Sequence, residues 1–231
     1  MKLKAILFDL DDTLYLERDF VKSGFRAVAR WLQQENGLPE KDTFTRLWSL
    51  FTSGERGDLF DRLLGDDPKK KALVNDLVSV YREHEPKISL LPGMKKCLLQ
   101  LRKNFKLGLV TDGYEHVQKQ KIAVLKLDDM FHAVIMTDEL GHNNWKPSTI
   151  PFIRICQKLD IEPHEAIYIA DNPQKDFKGP NQLGMSSIRF RLQNGEHYHR
   201  KPVSPDYAPT TIVSWVFSTN FHGRRQATRA G

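Results

Sequence analysis

The chain has 231 residues, of which 40% are hydrophobic and 28% are charged, and its formal net charge is +6. This balance is typical of a globular protein and excludes a disordered chain, which lacks the apolar residues that fill a core. No run approaches the roughly 18 apolar residues of a membrane helix, and the first residues lack the pattern of a removable signal peptide. We therefore expect a cytoplasmic protein with no membrane partner.

The positive charge is scattered along the chain. The tight basic clusters are three lysines at 69–71 and two arginines at 224–225, which are typical of a solvated helix face and a loose tail. We therefore expect no nucleic-acid partner, and a basic rim would instead attract a phosphorylated substrate. The two cysteines, Cys97 and Cys156, are expected to pack as small apolar residues rather than form a disulfide or bind a metal.

An apolar run at 5–8 predicts a strand buried on both faces. It is followed by Asp9, Asp11 and Asp12. Carboxylates in such a cluster repel one another and are costly to desolvate, so a divalent cation is expected to neutralise them, and Mg²⁺ is the candidate. Because Asp9 and Asp11 are two residues apart, an extended backbone would place their side chains on one face. One carboxylate can then attack while the other handles protons.

Residues 17–87 are predicted to form an all-helical insertion after this strand. Val21, Phe25, Val28 and Leu32 step by four, three and four, which predicts an amphipathic helix. Further helical stripes follow, interrupted by glycine and proline, and no strand-like alternation is present. The insertion is interpreted as a cap that closes over the site; a structural subdomain without a lid role is the alternative.

Four further apolar runs, at 107–111, 133–137, 166–170 and 187–190, alternate with helical segments. This alternation predicts βαβ units and a doubly wound parallel α/β sheet. Residues 1–16 and 88–215 are assigned to this core, and residues 216–231 to a flexible basic tail. Three histidines, His197, His199 and His222, lack a metal-ligand spacing and are interpreted as solvated loop residues.

Polar residues follow the second strand, the third and the fourth. Thr111-Asp112-Gly113 ends the second strand, Lys146-Pro147 comes after the third, and Asp171 with Asp176 follows the fourth. Together with Asp9-x-Asp11-x-Thr13, these segments resemble, in this order, the haloacid dehalogenase (HAD) superfamily. The resemblance covers about residues 3 to 190 and is to the phosphatase branch, with a Rossmann-like core and a helical cap inserted after the first strand.

The resemblance implies a role for each acid. Asp9 would attack phosphorus and form an aspartyl-phosphate, and Asp11 would be the general acid and then the general base. Asp9 and Asp171 would bind Mg²⁺ through their carboxylates, and Asp11 through its backbone carbonyl.

The same resemblance implies the phosphate contacts. Lys146 would contribute a positive charge to catalysis and phosphate binding, beside the Thr111 hydroxyl and the backbone amide of Asp112. Three residues would support the site from outside: Asp176, Asn172 and Thr13.

The predicted function is Mg²⁺-dependent hydrolysis of a small phosphomonoester, with a sugar phosphate or a nucleotide as candidate substrate, by a monomer or homodimer. Asp11 argues against halide removal, since a halide needs no proton to leave. Two alternatives stay open. A phosphomutase would share the site but pass the phosphoryl group to a sugar hydroxyl, and a catalytically retired binding or scaffold protein would keep only the fold.

Overall fold

The computed structural model describes residues 2–65, 72–219 and 225–229. The chain divides into two compact units, one made of the segments up to Glu17 and from Ile88 onward, and the other of Arg18–Lys87. The predicted basic cluster at 69–71, Arg224 and His222 lie outside the described residues. Among the described helices, none has the length and hydropathy that a membrane crossing needs.

The second unit is helical, and apolar side chains fill its interior. It contains α1 (Glu17–Asn36), α2 (Glu40–Thr52), α3 (Leu59–Leu64) and α4 (Val74–Glu83). The predicted stripe of Val21, Phe25, Val28 and Leu32 is buried against these helices, together with Leu47. As the amphipathic pattern of α1 predicts, one apolar face of this helix is buried in the helical core.

A seven-stranded sheet forms the first unit. Its strands are β1 (Ala5–Phe8), β2 (Lys106–Thr111), β3 (Ala133–Met136), β4 (Ala166–Ala170), β5 (Ser186–Leu192), β6 (Thr211–Thr219) and β7 (Arg225–Arg229). Their spatial order is β3-β2-β1-β4-β5-β6-β7, and β1 to β6 are parallel. The predicted doubly wound α/β fold with a helical insertion is confirmed.

Among the described residues of this unit, the α-helices between the strands are α5 (Met94–Leu101), α6 (Glu115–Val124), α7 (Ile150–Leu159) and α8 (Lys178–Gln182). Residues of α7 pack in one buried cluster with Leu7 of β1 and Tyr168 of β4. Gly108 permits close packing here, because a Cβ at this position would lie 2.6 Å from Leu7 Cδ2 and 2.7 Å from Ile155 Cδ1. β1 is thus central in the sheet, with β2 and β4 beside it, and its carboxyl end is flanked by theirs.

Part of the segment expected to be a flexible tail, residues 216–231, belongs to the sheet. β6 continues to Thr219 in parallel with β5, and β7 pairs antiparallel with β6. The run from Thr211 to Thr219 is rich in β-branched and aromatic residues, which favour a strand. The cysteines are both free: Cys156 is buried, as expected of a packing residue, whereas Cys97 is exposed.

Candidate active site

Asp9 lies where β1 ends, and its surroundings come from three other segments. Its backbone N–H donates to the carbonyl of Ile169 at 2.9 Å, which holds the residue at the sheet edge. Its carboxylate Oδ1 accepts a hydrogen bond from Lys146 Nζ at 2.6 Å. The same ammonium lies 2.8 Å from Asp176 Oδ1 and donates to the Tyr168 hydroxyl at 3.1 Å. One buried cation therefore bridges the ends of β1 and β4.

Three buried carboxylates meet at this point. Asp9, Asp171 and Asp176 each offer an oxygen, and these oxygens lie within 4.8 Å of one another. Burial raises the pKa of Asp9 to about 7 despite the opposing charge of Lys146. Burial and the charge of Asp176 raise the pKa of Asp171 well above its ordinary value. Each raised pKa indicates negative charge that the surrounding side chains do not fully compensate.

The carboxylate of Asp11 has different partners. Lys121 Nζ lies 2.7 Å from Oδ1, and the Tyr15 hydroxyl donates to the same oxygen. Gln118 Nε2 donates to Oδ2 at 3.1 Å. Burial alone would raise the pKa of Asp11, but Lys121 and the two hydrogen-bond donors outweigh it and the pKa is lowered. The Asp11 carboxylate is thus compensated by protein groups.

Asp12, the third acid of the cluster, is a structural residue here. Its backbone has a positive φ of 52°, and its two carboxylate oxygens accept hydrogen bonds from the backbone N–H groups of Glu17 (2.9 Å) and Glu196 (2.6 Å). Asp12 thereby joins the start of α1 to the loop after β5. The expectation that one cation neutralises Asp9, Asp11 and Asp12 together is wrong for the side chains, because Asp11 and Asp12 have protein partners.

Thr111 and Asp112 lie at the end of β2. Thr111 is fully buried, and its Oγ1 accepts a hydrogen bond from Gln118 Nε2. The Asp112 carboxylate accepts from the backbone N–H of Lys146 (3.1 Å) and from Lys175 Nζ (2.7 Å). Burial would raise the pKa of Asp112, but the two lysines outweigh it and the pKa is lowered. Asp112 therefore ties the Lys146 loop and the loop after β4 to the end of β2.

The remaining predicted residues surround this arrangement. Asn172 accepts from the Gln174 N–H through Oδ1, and its own N–H donates to Asp176 Oδ2 at 2.8 Å. The Thr13 hydroxyl oxygen is buried with no hydrogen-bond partner among the described residues. Asn172 and Asp176 thus brace the loop that carries Asp171.

His197 differs from the predicted solvated loop residue. Its Nε2 lies 3.1 Å from Asn172 Nδ2, and burial lowers the pKa of the imidazole to about 4. His199, two residues on, is exposed as expected. The difference arises because Asp12 and Arg189 hold the loop after β5 over the sheet edge, through the Glu196 N–H and the His197 carbonyl.

A cavity of about 260 Å³ opens over these groups. Its lining residues come from the segments that follow β1, β2, β4 and β5, from the first residue of α1 and from α6: Asp9, Asp11, Glu17, Asp112, Gly113, Tyr114, Val117, Gln118, Lys121, Asp171, Asn172, Lys175 and His197. Ligands of open α/β sheets bind at the carboxyl ends of the strands, and this cavity is in that place.

The sequence of the chain matches the model of the haloacid dehalogenase-like hydrolase family over residues 6–190. The chain belongs to this family. A glyceraldehyde 3-phosphate phosphatase of Methanopyrus kandleri is 33% identical over 219 residues, which cover 90% of this chain and 91% of that protein. The pyrophosphatase PpaX of Bacillus thuringiensis is 26% identical, covering 90% of this chain and 92% of the relative.

Solved structures have the same fold. The HAD-hydrolase YfnB from Bacillus subtilis, bound to magnesium, superposes with a TM-score of 0.64 at 20% identity, covering 92% of this chain and 95% of that one. The predicted family and the prediction of a phosphatase are confirmed by these comparisons.

Several residues of this HAD-like site were not predicted from the sequence. Gln118 and Lys121 lie on α6, Lys175 between Asn172 and Asp176, and Tyr168 inside β4. A signal for the first two exists, since they fall on the same helix face as the apolar Val117 and Ile122, where polar residues are unusual. The other two look like an ordinary loop lysine and an ordinary strand tyrosine.

Proposed function

We propose that this chain is a Mg²⁺-dependent phosphatase that hydrolyses a small phosphomonoester through an aspartyl-phosphate on Asp9. The observation that carries the proposal is the buried group of Asp9, Asp171 and Asp176 at the carboxyl end of β1, with Lys146 across it. A carboxylate nucleophile, a site for a cation and a positive charge for the phosphate are the parts that phosphoryl transfer needs.

The residues present fit a hard divalent cation. Asp171 is 7% exposed, and its carboxylate has no hydrogen-bond or ion-pair partner among the described side chains. Such an uncompensated carboxylate near Asp9 is the kind of oxygen ligand that Mg²⁺ prefers. Asp9, Asp171 and the backbone carbonyl of Asp11 would hold the ion, which when bound would screen the phosphate charge from the nucleophile.

The reaction then divides into two displacements. A carboxylate oxygen of Asp9 bonds to phosphorus as the bond to the leaving oxygen breaks, and Asp11 gives its proton to that oxygen. In the second step Asp11, now a carboxylate, takes a proton from water as the water oxygen bonds to phosphorus and the bond to Asp9 breaks. Inorganic phosphate leaves and both acids return to their starting state.

Phosphate binding would fall to groups at the end of β2 and to the two lysines beside them. Lys146 and the Thr111 hydroxyl would contact the phosphate oxygens, with the backbone N–H of Asp112 beside them. Lys175 adds a second positive charge, since its ammonium is held by Asp112 at the cavity wall. Asp176 would orient Lys146, and Asn172 and Thr13 would support the surrounding loops.

The relatives narrow the first substrates to test. One is a phosphatase of glyceraldehyde 3-phosphate and another is a pyrophosphatase, so we propose a small phosphorylated metabolite as substrate. Sugar phosphates and nucleoside monophosphates complete the panel. Cytoplasmic localisation, and a monomeric or homodimeric state, remain predictions.

Turnover of p-nitrophenyl phosphate with and without Mg²⁺ tests the proposal, beside the variant Asp9→Asn. We expect release of p-nitrophenol only with the metal, and a loss of at least about 1000-fold in Asp9→Asn, since no other nucleophile replaces the carboxylate. The exposed Asp42→Asn in the helical unit is the matched control. An active Asp9→Asn would contradict the mechanism, transfer of phosphate to a sugar hydroxyl would indicate a phosphomutase, and no turnover of the panel would indicate a retired binding protein.

A further inference from the structure

Two polar side chains lie buried on the inner face of α6. Gln118 is 1% exposed and Lys121 is 5% exposed, although the helix could have placed apolar residues there. Burying an amide or an ammonium costs free energy unless each group finds partners. The partners they find are two residues of the proposed reaction, Asp11 and Thr111.

Lys121 and Gln118 each contact a different oxygen of the Asp11 carboxylate. Lys121 Nζ lies 2.7 Å from Oδ1, which also accepts a hydrogen bond from the Tyr15 hydroxyl. Gln118 Nε2 donates to Oδ2 at 3.1 Å. An ionised carboxylate only accepts hydrogen bonds, so the amide of Gln118 must turn its nitrogen toward it. Oδ1 is therefore the oxygen fixed by charge, and Oδ2 has one neutral donor.

The same amide nitrogen fixes Thr111. Gln118 Nε2 donates to Thr111 Oγ1, so the Thr111 hydroxyl accepts there and keeps its single proton for another partner. None of the described residues accepts that proton. Gln118 is itself confined, because a Cβ on Gly113 would lie only 3.2 Å from its Cδ. One side chain thus sets the orientation of two groups that come from β2 and from the loop after β1.

We propose that Gln118 and Lys121 are positioning residues for proton transfer. Lys121 occupies Oδ1, so that Asp11 carries and delivers its proton at Oδ2. The amide nitrogen of Gln118 donates to both Asp11 Oδ2 and Thr111 Oγ1. It thereby fixes the position of the proton donor relative to the hydroxyl that donates to the phosphate. The inference rests on the proposed function, in which the proton moves from Asp11 to the leaving oxygen as the phosphorus–oxygen bond breaks.

The test compares two leaving groups. An alkoxide needs a proton to depart, whereas p-nitrophenolate leaves without one, so misplacing the acid slows alkyl phosphates selectively. We would measure kcat/KM for β-glycerophosphate and p-nitrophenyl phosphate, because this ratio reports the first displacement and excludes the later hydrolysis. The variants are Lys121→Met and Gln118→Glu, which keep side-chain shape, Lys121→Arg, which keeps the charge, and Asp11→Asn as reference.

In Lys121→Met and Gln118→Glu we expect kcat/KM to fall about 100-fold with β-glycerophosphate and only a few-fold with p-nitrophenyl phosphate. Gln118→Glu acts by placing a second acceptor against Asp11. Lys121→Arg should recover most of the loss. The matched control is Lys119→Met, since Lys119 lies on the same helix and pairs at the surface with Glu115; it should change neither value.

Equal losses on both substrates in Lys121→Met and Gln118→Glu, with Asp11→Asn still selective for the alkyl phosphate, would overturn the inference and leave the two residues a purely structural role. Should either variant fail to fold, judged by circular dichroism, Tyr15→Phe removes one donor to Oδ1 without changing the packing, and it should show the same selectivity at about 5-fold. If Asp11→Asn is unselective or Asp9→Asn is active, the proposed function fails instead.

Discussion

The two units of this chain bury different kinds of side chain. Among the described residues of the sheet unit, seven acidic or basic side chains are under 9% exposed: Asp9, Asp12, Lys121, Lys146, Asp171, Asp176 and Arg189. In the helical unit, among the residues the structure describes, the buried polar side chains are Ser23 and Thr43, and both are uncharged. Among the described residues, buried charged side chains therefore occur in the unit that holds the cavity.

In the helical unit, charged side chains pack against aromatic rings instead of being buried in the core. Arg18 and Lys22 of α1 lie over the ring of Trp48, with the charged groups 5.4 and 5.6 Å from the ring centroid. Below them, Phe25 and Phe51 meet edge to face in the apolar interior. This is the arrangement of a subdomain built for stability, with aromatic packing inside and cations resting on aromatic faces.

The difference between the two units indicates that the residues around the cavity lower the stability of the fold. Groups such as Asp9 and Asp171 are costly to bury, and a sequence selected for folding alone would place apolar residues there. Violations of the packing rules tend to mark functional sites. The three predictions that follow test whether the two units differ in this way.

Lys146→Met should have the largest effect. It leaves the buried Asp9 and Asp176 without their shared cation, which we expect to reduce kcat/KM by about 10²- to 10³-fold and the free energy of unfolding by about 3–5 kcal/mol. Kinetics and urea unfolding measure the two. The matched control is Lys4→Met, which breaks a surface pair with Glu165 and should cost at most about 1 kcal/mol.

Wild-type turnover in Lys146→Met would contradict the proposed role of Lys146 in catalysis and phosphate binding. Unchanged stability with lost turnover would mean that another group compensates the two carboxylates, and the contrast between the units would weaken.

Leu47→Ala probes the other unit. Leu47 is fully buried among the helices, so truncation should cost about 2–5 kcal/mol of unfolding free energy through lost packing and the cavity it leaves. At temperatures where the variant is folded, kcat for p-nitrophenyl phosphate should stay within about two-fold of the wild type. If kcat fell as steeply as in Lys146→Met, the core of the helical unit would also be needed for catalysis. The proposed difference between the two units would then be wrong.

Metal addition should give the smallest effect, and it should depend on pH. Burial raises the pKa of Asp9 from 3.8 to about 7, and that of Asp171 is also raised. Protonated carboxylates stabilise this site at low pH, and the contribution is lost as the pH rises through about 7. Mg²⁺ competes with those protons, so it should raise Tm more at about pH 8 than at about pH 5.5. At saturation the ion should add about 1–3 kcal/mol to the free energy of unfolding at the higher pH.

Differential scanning calorimetry with Mg²⁺ and with EDTA measures this shift. Asp171→Asn should abolish it, and Asp42→Asn should leave it unchanged. An equal Mg²⁺ effect at both pH values would show that the ion binds elsewhere.

Much of the site was predictable because its residues stand where apolar strands end. Asp9, Thr111 and Asp171 each follow such a run, and parallel strands bring their carboxyl ends to one edge. What could not be predicted were the partners on other elements. Lys121 is one of many lysines in the sequence, and only the placement of α6 brings it to Asp11. His197 was misinterpreted for the same reason, since a loop's docking leaves no local pattern.

The sequence by itself determined the class of fold, the family and the acids at the strand ends, because strand period, strand order and motif spacing are local properties of a chain. The tertiary structure decided which charge meets which. It placed Asp9, Asp171 and Asp176 together, paired Lys146 with Asp9 and Asp176, and gave Asp11 and Asp12 partners of their own. The physical reason is that neighbouring charges and hydrogen-bond donors set the protonation state of a buried carboxylate, and the lysines that meet Asp9 and Asp11 lie 137 and 110 residues away along the chain.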